Sequence, residues 1–120
     1  MGMRRKAGTL VPLELAICVA ASDLRQQGAD EFHGYLIAKE IKAHADNRLL
    51  TAYGTLYRAL GRLETMGLLA SHWEDAMVAA GENRPRRRLY SLTPAGEEAV
   101  AEAARAAAGQ QRAKKGWASA

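Results

Sequence analysis

The chain has 120 residues, 17 Lys and Arg against 13 Asp and Glu, a formal net charge of +4, and hydrophobic and charged fractions of 48% and 25%. That length sets one domain, or one domain with a helical arm, whose core buries roughly two-thirds of the unfolded surface and leaves little room for a deep catalytic cavity. The composition excludes a disordered chain, and the single cysteine, Cys18, excludes an intrachain disulfide framework or a thiolate zinc cluster, so a reducing cytoplasm is the expected compartment.

Residues 1–8 form a basic leader carrying Arg4, Arg5 and Lys6. The apolar stretch 10–21 behind it is superficially like a signal peptide. Glu14 interrupts it, however, and Asp23-Leu24-Arg25-Gln26-Gln27 stands where small residues should mark a cleavage site. It reads as an amphipathic first helix from about Thr9 or Leu10, with Pro12 in its first turn, and is too short to span a bilayer, so no membrane partner is expected. Leu13, Ile17, Ala20 and Leu24 recur on one face, and Gly28 follows the helix end. A second helix is predicted over 33–45, with Ile37 and Ile41 one turn apart.

Thr51 is the predicted N-cap of a third helix that ends near Met66, before Gly67. At about 100° per residue, Leu56, Leu60 and Leu63 fall in a narrow arc, and Gly54, Thr55, Arg58, Gly61, Arg62 and Thr65 occupy the opposite half. The period then changes. Residues 68–74 read as a strand, 75–85 as a flexible turn, and 86–92 as a returning strand with Arg88, Tyr90 and Leu92 on one side. Thr93-Pro94 opens a fourth helix as N-cap and first helical residue, with Gly109 as its expected stop and 110–120 as a flexible basic tail.

Charge is unevenly placed. Removing Arg4, Arg5, Lys6, Arg112, Lys114 and Lys115 leaves 11 basic against 13 acidic residues, a body of about −2. Four of those 11 are Arg84, Arg86, Arg87 and Arg88, a compact electrostatic footprint for phosphate. The order helix, helix, helix, arginine-rich hairpin is that of a winged helix-turn-helix, in which the third helix enters the major groove and the hairpin meets the backbone or minor groove. The expected fold is therefore mainly α with a small β-hairpin: a winged helix-turn-helix over 9–92, a C-terminal helix over 93–109, and flanking terminal helices that build a dimer.

His33-Gly34-Tyr35 with Ile37-Ala38-Lys39-Glu40-Ile41, Gly54-Thr55-Leu56-Tyr57-Arg58-Ala59-Leu60, Arg62-Leu63-Glu64, Gly67-Leu68-Leu69, and Arg87-Arg88-Leu89-Tyr90-Ser91-Leu92-Thr93 with Gly96 together resemble the PadR family of bacterial transcriptional regulators. The resemblance covers roughly residues 10–108. It implies a repressor acting on double-stranded DNA that works as a homodimer, its first and last helices building the dimer interface, and that often answers to a small-molecule effector. The short, alanine-rich last helix departs from larger members and implies a minimal form.

The residues expected at DNA are Thr51, Tyr53, Gly54, Thr55, Arg58 and Arg62 around the third helix, and Arg84, Arg86, Arg87 and Arg88 on the wing. Those expected at the dimer interface are Leu13, Ile17, Leu24, Val100 and Ala104. Tyr57 has two readings, packing beside the leucine stripe or reaching the DNA backbone through its hydroxyl. Four close arginines could also be a strand edge protected by charge. Trp73 reads as core or as an aromatic surface for an effector, and Cys18 as a small buried hydrophobe. His33, His44 and His72 lack metal-ligand spacing, and no phosphate loop, nucleophile elbow or catalytic carboxylate pair is present, so neither a cofactor nor an enzyme is expected. The alternative is a winged helix that grips a protein or ligand without sequence-specific DNA binding.

Overall fold

A computed structural model describes residues 10–44 and 53–119. In chain order these form α1 (Pro12–Gln26), α2 (Gly34–His44), α3 (Tyr53–Thr65), β1 (Leu69–Trp73), α4 (Ala76–Gly81), β2 (Arg88–Leu92) and α5 (Pro94–Ser119). The strands pair antiparallel, with Leu69 opposite Leu92, Ser71 opposite Tyr90 and Trp73 opposite Arg88.

The helix ends follow local chemistry. Pro12 stands at the start of α1, and the Glu14 carboxylate turns back to accept the Val11 N–H at 3.1 Å. At the other end Gly28 takes φ +98°, which lets the Ala29 N–H reach the Leu24 carbonyl and the Gly28 N–H reach Arg25. Gly67, at φ +78°, closes α3 in the same way, with Leu68 bonded to Leu63 and Gly67 to Glu64. Thr93 caps α5 by accepting the Gly96 N–H on Oγ1 at 3.0 Å.

α1 packs against α2, α3 and α5. The core joins Ile17 and Leu24 of α1, Ile37 and Ile41 of α2, the Leu56, Leu60 and Leu63 stripe of α3, and Leu69, Tyr90 and Leu92 of the hairpin. Phe32 adds a short third pairing on the free edge of β2 through two backbone bonds with Tyr90, and the two rings stack 5.9 Å apart. Cys18 is buried in this core, where desolvation, reinforced by the Glu14 charge, pushes its thiol up to about 12.

Three expectations need correction. Leu13, Ile17 and Leu24 are buried within the protomer at 7%, 0% and 5% exposure, so they cannot supply the bulk of a dimer interface. What α1 leaves outside is Leu15, Ala16 and Val19, which with Leu10, Pro12 and Ile41 line an apolar groove of about 410 Å³ rimmed by Asp23 and Glu40. Gly109 does not stop α5, which runs 26 residues through the predicted tail. A single interior glycine costs about 1 kcal/mol, and the flanking Ala, Gln, Arg and Lys are strong helix formers. Finally, the wing loop is not a plain turn. Asp75 caps α4 by accepting the Met77 N–H at 2.7 Å, and Asn83, at φ 53°, closes it.

Candidate nucleic-acid interface

α3 buries Leu56, Ala59, Leu60 and Leu63 and turns Gly54, Arg58, Gly61 and Thr65 outward, with Thr55 half-buried beside them. Small residues at Gly54 and Gly61 keep the outward surface of the helix low at both ends of this face. Arg58 has no hydrogen-bond or ionic partner among the described residues and reaches solvent. Thr51 lies outside the described residues. Tyr53 is the first residue of α3, and its side chain also falls outside them.

Arg62 departs from its expected role. Its Nε donates to Glu14 Oε2 at 2.7 Å, which draws the guanidinium back toward α1.

The wing arginines divide into two kinds. Arg84 is a strut: its two terminal nitrogens donate to Glu74 Oε1 and Oε2 at 2.6 and 2.8 Å, one of them also reaches Glu82 at 3.1 Å, and only 17% of its side chain is exposed. This fork-to-fork geometry is the strong form of an ion pair, and it corrects the expectation that Arg84 meets phosphate. The same bonds hold the Glu74 carboxyl down at about 2. Glu74 also accepts the Arg87 N–H at 3.3 Å, and its backbone carbonyl accepts Arg86 Nε at 2.8 Å. Arg88 is braced by Ser71 Oγ at 3.1 Å, by Glu64 at 3.8 Å, and by the Trp73 ring 5.2 Å beneath it. Trp73 is therefore a surface platform, 56% exposed, rather than core. Arg86 and Arg87 are left exposed, with the Arg87 guanidinium unpaired among the described residues.

These wing residues face α2 and α3 across a groove of about 340 Å³ lined by His33, Gly34, Tyr35, Tyr57, Trp73 and Arg86 to Arg88. Gly34 makes the groove possible, because a Cβ there would stand 2.5 Å from the Tyr57 hydroxyl. Tyr57 is half exposed and packs over the start of α2 with its hydroxyl at the groove. His33 accepts the Leu36 N–H on Nδ1 at 3.3 Å, capping α2. Burial, with the charges of Arg87 and Arg84 adding to it, lowers its pKa, which favours the neutral ring with its proton on Nε2.

The groove thus gathers hydroxyl, imidazole and guanidinium donors beside an exposed helix face. Donors of these types are the ones that proteins turn toward phosphate oxygens. The sequence reading named the wing arginines and Arg58 but did not bring His33 and Tyr35 to them. His33-Gly34-Tyr35 was the available signal, since a glycine between two aromatic rings marks a close approach. Among the described residues no group of three or more His, Cys, Asp or Glu is gathered as a metal ion requires, and no helix is long and apolar enough to cross a membrane.

Residues 24–102 match the family described as the transcriptional regulator PadR-like family. The chain is 37% identical over 83 residues to transcriptional regulator Rv3488 of Mycobacterium tuberculosis, covering 69% of each protein. Its structure is similar to that of a PadR family transcription regulator from Clostridium difficile R20291, with a TM-score of 0.68 and 20% identity over 88% of this chain and 96% of that one. It is also similar to Bacillus subtilis PadR in complex with operator DNA, with a TM-score of 0.56 and 17% identity over 78% of this chain and 47% of that one. At these identities the two structures establish the fold, a winged helix.

Proposed function

Because the chain belongs to the PadR-like family of transcriptional regulators, we propose that it is a cytoplasmic, non-enzymatic repressor that binds a pseudo-palindromic operator as a homodimer. The observation that carries this reading is the placement of an exposed α3 face, with Thr55 and Arg58, beside a groove whose far wall holds Arg86 and Arg87. α3 lies in the major groove. Arg86, Arg87, His33 Nε2 and the Tyr57 hydroxyl contact phosphates on the flanking backbone, and Gly54 approaches the duplex at the start of the helix.

Two-fold symmetry sets the half-sites about one helical turn apart. The dimer uses the outward face of α1, where Leu15, Ala16 and Val19 lie, together with α5, in which Val100 packs against the core and Ala104 faces out. A small-molecule effector at this seam changes the spacing of the two recognition helices and thereby operator affinity.

A gel shift on the DNA upstream of the chain's own coding sequence, at physiological salt and with competitor DNA, tests the reading. A specific shift is expected, and its absence would favour a winged helix that binds protein or ligand. Sedimentation at micromolar concentration should show a dimer, and a monomer would remove the two-half-site geometry.

A further inference from the structure

Arg62 lies one turn beyond Arg58 on the outward half of α3, where a cation would reach toward DNA. Its Nε instead bonds to Glu14 Oε2 at 2.7 Å. Glu14 has no exposed side-chain surface, whereas Arg62 keeps 45% of its own. The second Glu14 oxygen accepts the Val11 N–H at 3.1 Å and closes the first turn of α1. One buried carboxylate is therefore shared between the cap of α1 and the last turns of α3, 48 residues away in sequence.

This arrangement does something the leucine stripe cannot. Packing of Leu56, Leu60 and Leu63 draws α3 onto the core, but apolar attraction is non-directional and leaves the rotation of the helix about its own axis weakly defined. A charge-assisted bond to a buried, immobile acceptor has both direction and length, so it fixes that rotation. The planar guanidinium holds the geometry through Nε, which a lysine ammonium cannot reproduce.

We propose that Arg62 is a positioning residue and Glu14 its anchor, the pair setting the rotation of α3 against α1 so that Thr55 and Arg58 point at the base edges. The proposal rests on the DNA-binding reading above.

Operator affinity is measured across a salt series for Arg62→Ala, Arg62→Lys and Glu14→Gln, with Arg86→Ala as the phosphate-contact control. Arg62→Ala and Glu14→Gln should each weaken binding about tenfold, on the scale of one lost base contact, while the log–log salt slope stays at the wild-type value. Arg86→Ala should make that slope shallower by about 0.9. Arg62→Lys keeps the charge and should recover only part of the affinity.

Glu14→Gln separates the alternatives, because it removes the buried ionic partner that holds Arg62. If Arg62 contacted DNA, freeing it would strengthen binding. Stronger or unchanged binding in Glu14→Gln, or a slope shallower by about 0.9 in Arg62→Ala, would overturn the proposal.

Hydrogen exchange of the free protein gives a readout independent of DNA. Amides of α3 should exchange faster in Glu14→Gln and Arg62→Lys, with the β1–β2 amides unchanged, and unaltered α3 exchange would also overturn it. Should the wild type give no specific shift, the DNA reading falls while this second readout still decides whether the pair holds the helix. Glu14→Gln and Arg62→Lys are mild enough to carry the test if Arg62→Ala does not fold.

Discussion

Gly96→Ala should destabilise the protein, and the size of the effect follows from what surrounds the glycine. Gly96 is buried in the first turn of α5, at the root of the wing. A Cβ at this position would stand 2.3 Å from the Leu68 carbonyl oxygen and 2.4 Å from Leu92 Cδ1. Leu92 can adopt another rotamer, but the carbonyl is held by the Thr93 N–H at 3.0 Å, while Thr93 Oγ1 donates to the neighbouring Gly67 carbonyl at 2.6 Å. Relief therefore requires α5 to shift away from the hairpin. Overpacking against a held backbone carbonyl falls in the upper part of the usual range, about 2–3 kcal/mol, and alanine returns up to ~1 kcal/mol through helix propensity, so the net loss is at least about 1–2 kcal/mol. For a chain of this length that lowers Tm by roughly 4–10 °C, with an unchanged denaturant m-value. Circular dichroism melts and urea titrations read both quantities. A Gly96→Ala protein as stable as wild type would refute the claim that the wing root and α5 meet backbone to backbone.

Gly34→Ala should behave oppositely: the obstructing group is the half-exposed Tyr57 phenol, which can swing into solvent, so Tm should stay within about 2 °C while operator affinity falls in a gel shift. Arg87→Ala should make the salt slope shallower by about 0.9, and Arg84→Ala should weaken binding without changing the slope, because Arg84 supports the wing from within. The Glu74 carboxyl, held at about 2, stabilises the wing at all pH values above the ordinary carboxylate range and loses that effect as pH falls from about 4.5 through about 2. Trp73 emission in a Trp117→Phe background should report this acid transition, and Glu74→Gln should abolish it. The Cys18 thiol, pushed up to about 12 and buried, should resist iodoacetamide at pH 8 in the native protein and react once urea unfolds it.

Those features that depend on near neighbours in the chain were legible in the sequence. The leucine stripe of α3, the Thr93-Pro94 start of α5, and the Gly28 and Gly67 stops each follow from contacts within a turn or two. The hairpin and the helix order followed from the change of period, and with them the winged-helix fold. α4 was also open to reading, since Asp75 before Ala-Met-Val-Ala-Ala and Asn83 after them are a cap and a stop, although 75–85 reads as a flexible turn when only the two flanking strands are followed.

What could not be read were choices of partner across long separations. Arg62 and Glu14 are 48 residues apart and Arg25 and Glu97 72 apart, and nothing local distinguishes a cation that turns inward from one that faces solvent. The placing of Leu13, Ile17 and Leu24 on a dimer face went astray for a related reason. An apolar stripe on α1 states that the face is buried, without stating whether the covering surface belongs to the same chain.

The same limit changes the meaning of the wing. From sequence, four neighbouring arginines that repel one another point either to an external anion or to a strand edge protected by charge. In the structure the charge of Arg84 is answered by Glu74 and Glu82, and that of Arg88 by Glu64 and the face of Trp73, so half the cluster has its charge answered without DNA. The demand that remains belongs to Arg86 and Arg87, whose placement is set by the satisfied half through the Glu74 carboxylate and carbonyl. A body of about −2 is then a consequence of the design rather than an argument against a nucleic-acid partner, since the acids near the interface hold arginines in position. Few unpaired cations give little sequence-independent affinity, as each neutralised phosphate adds only one unit of counterion release. Binding then depends more heavily on what α3 reads in the groove, and so on the rotation at which α3 is held.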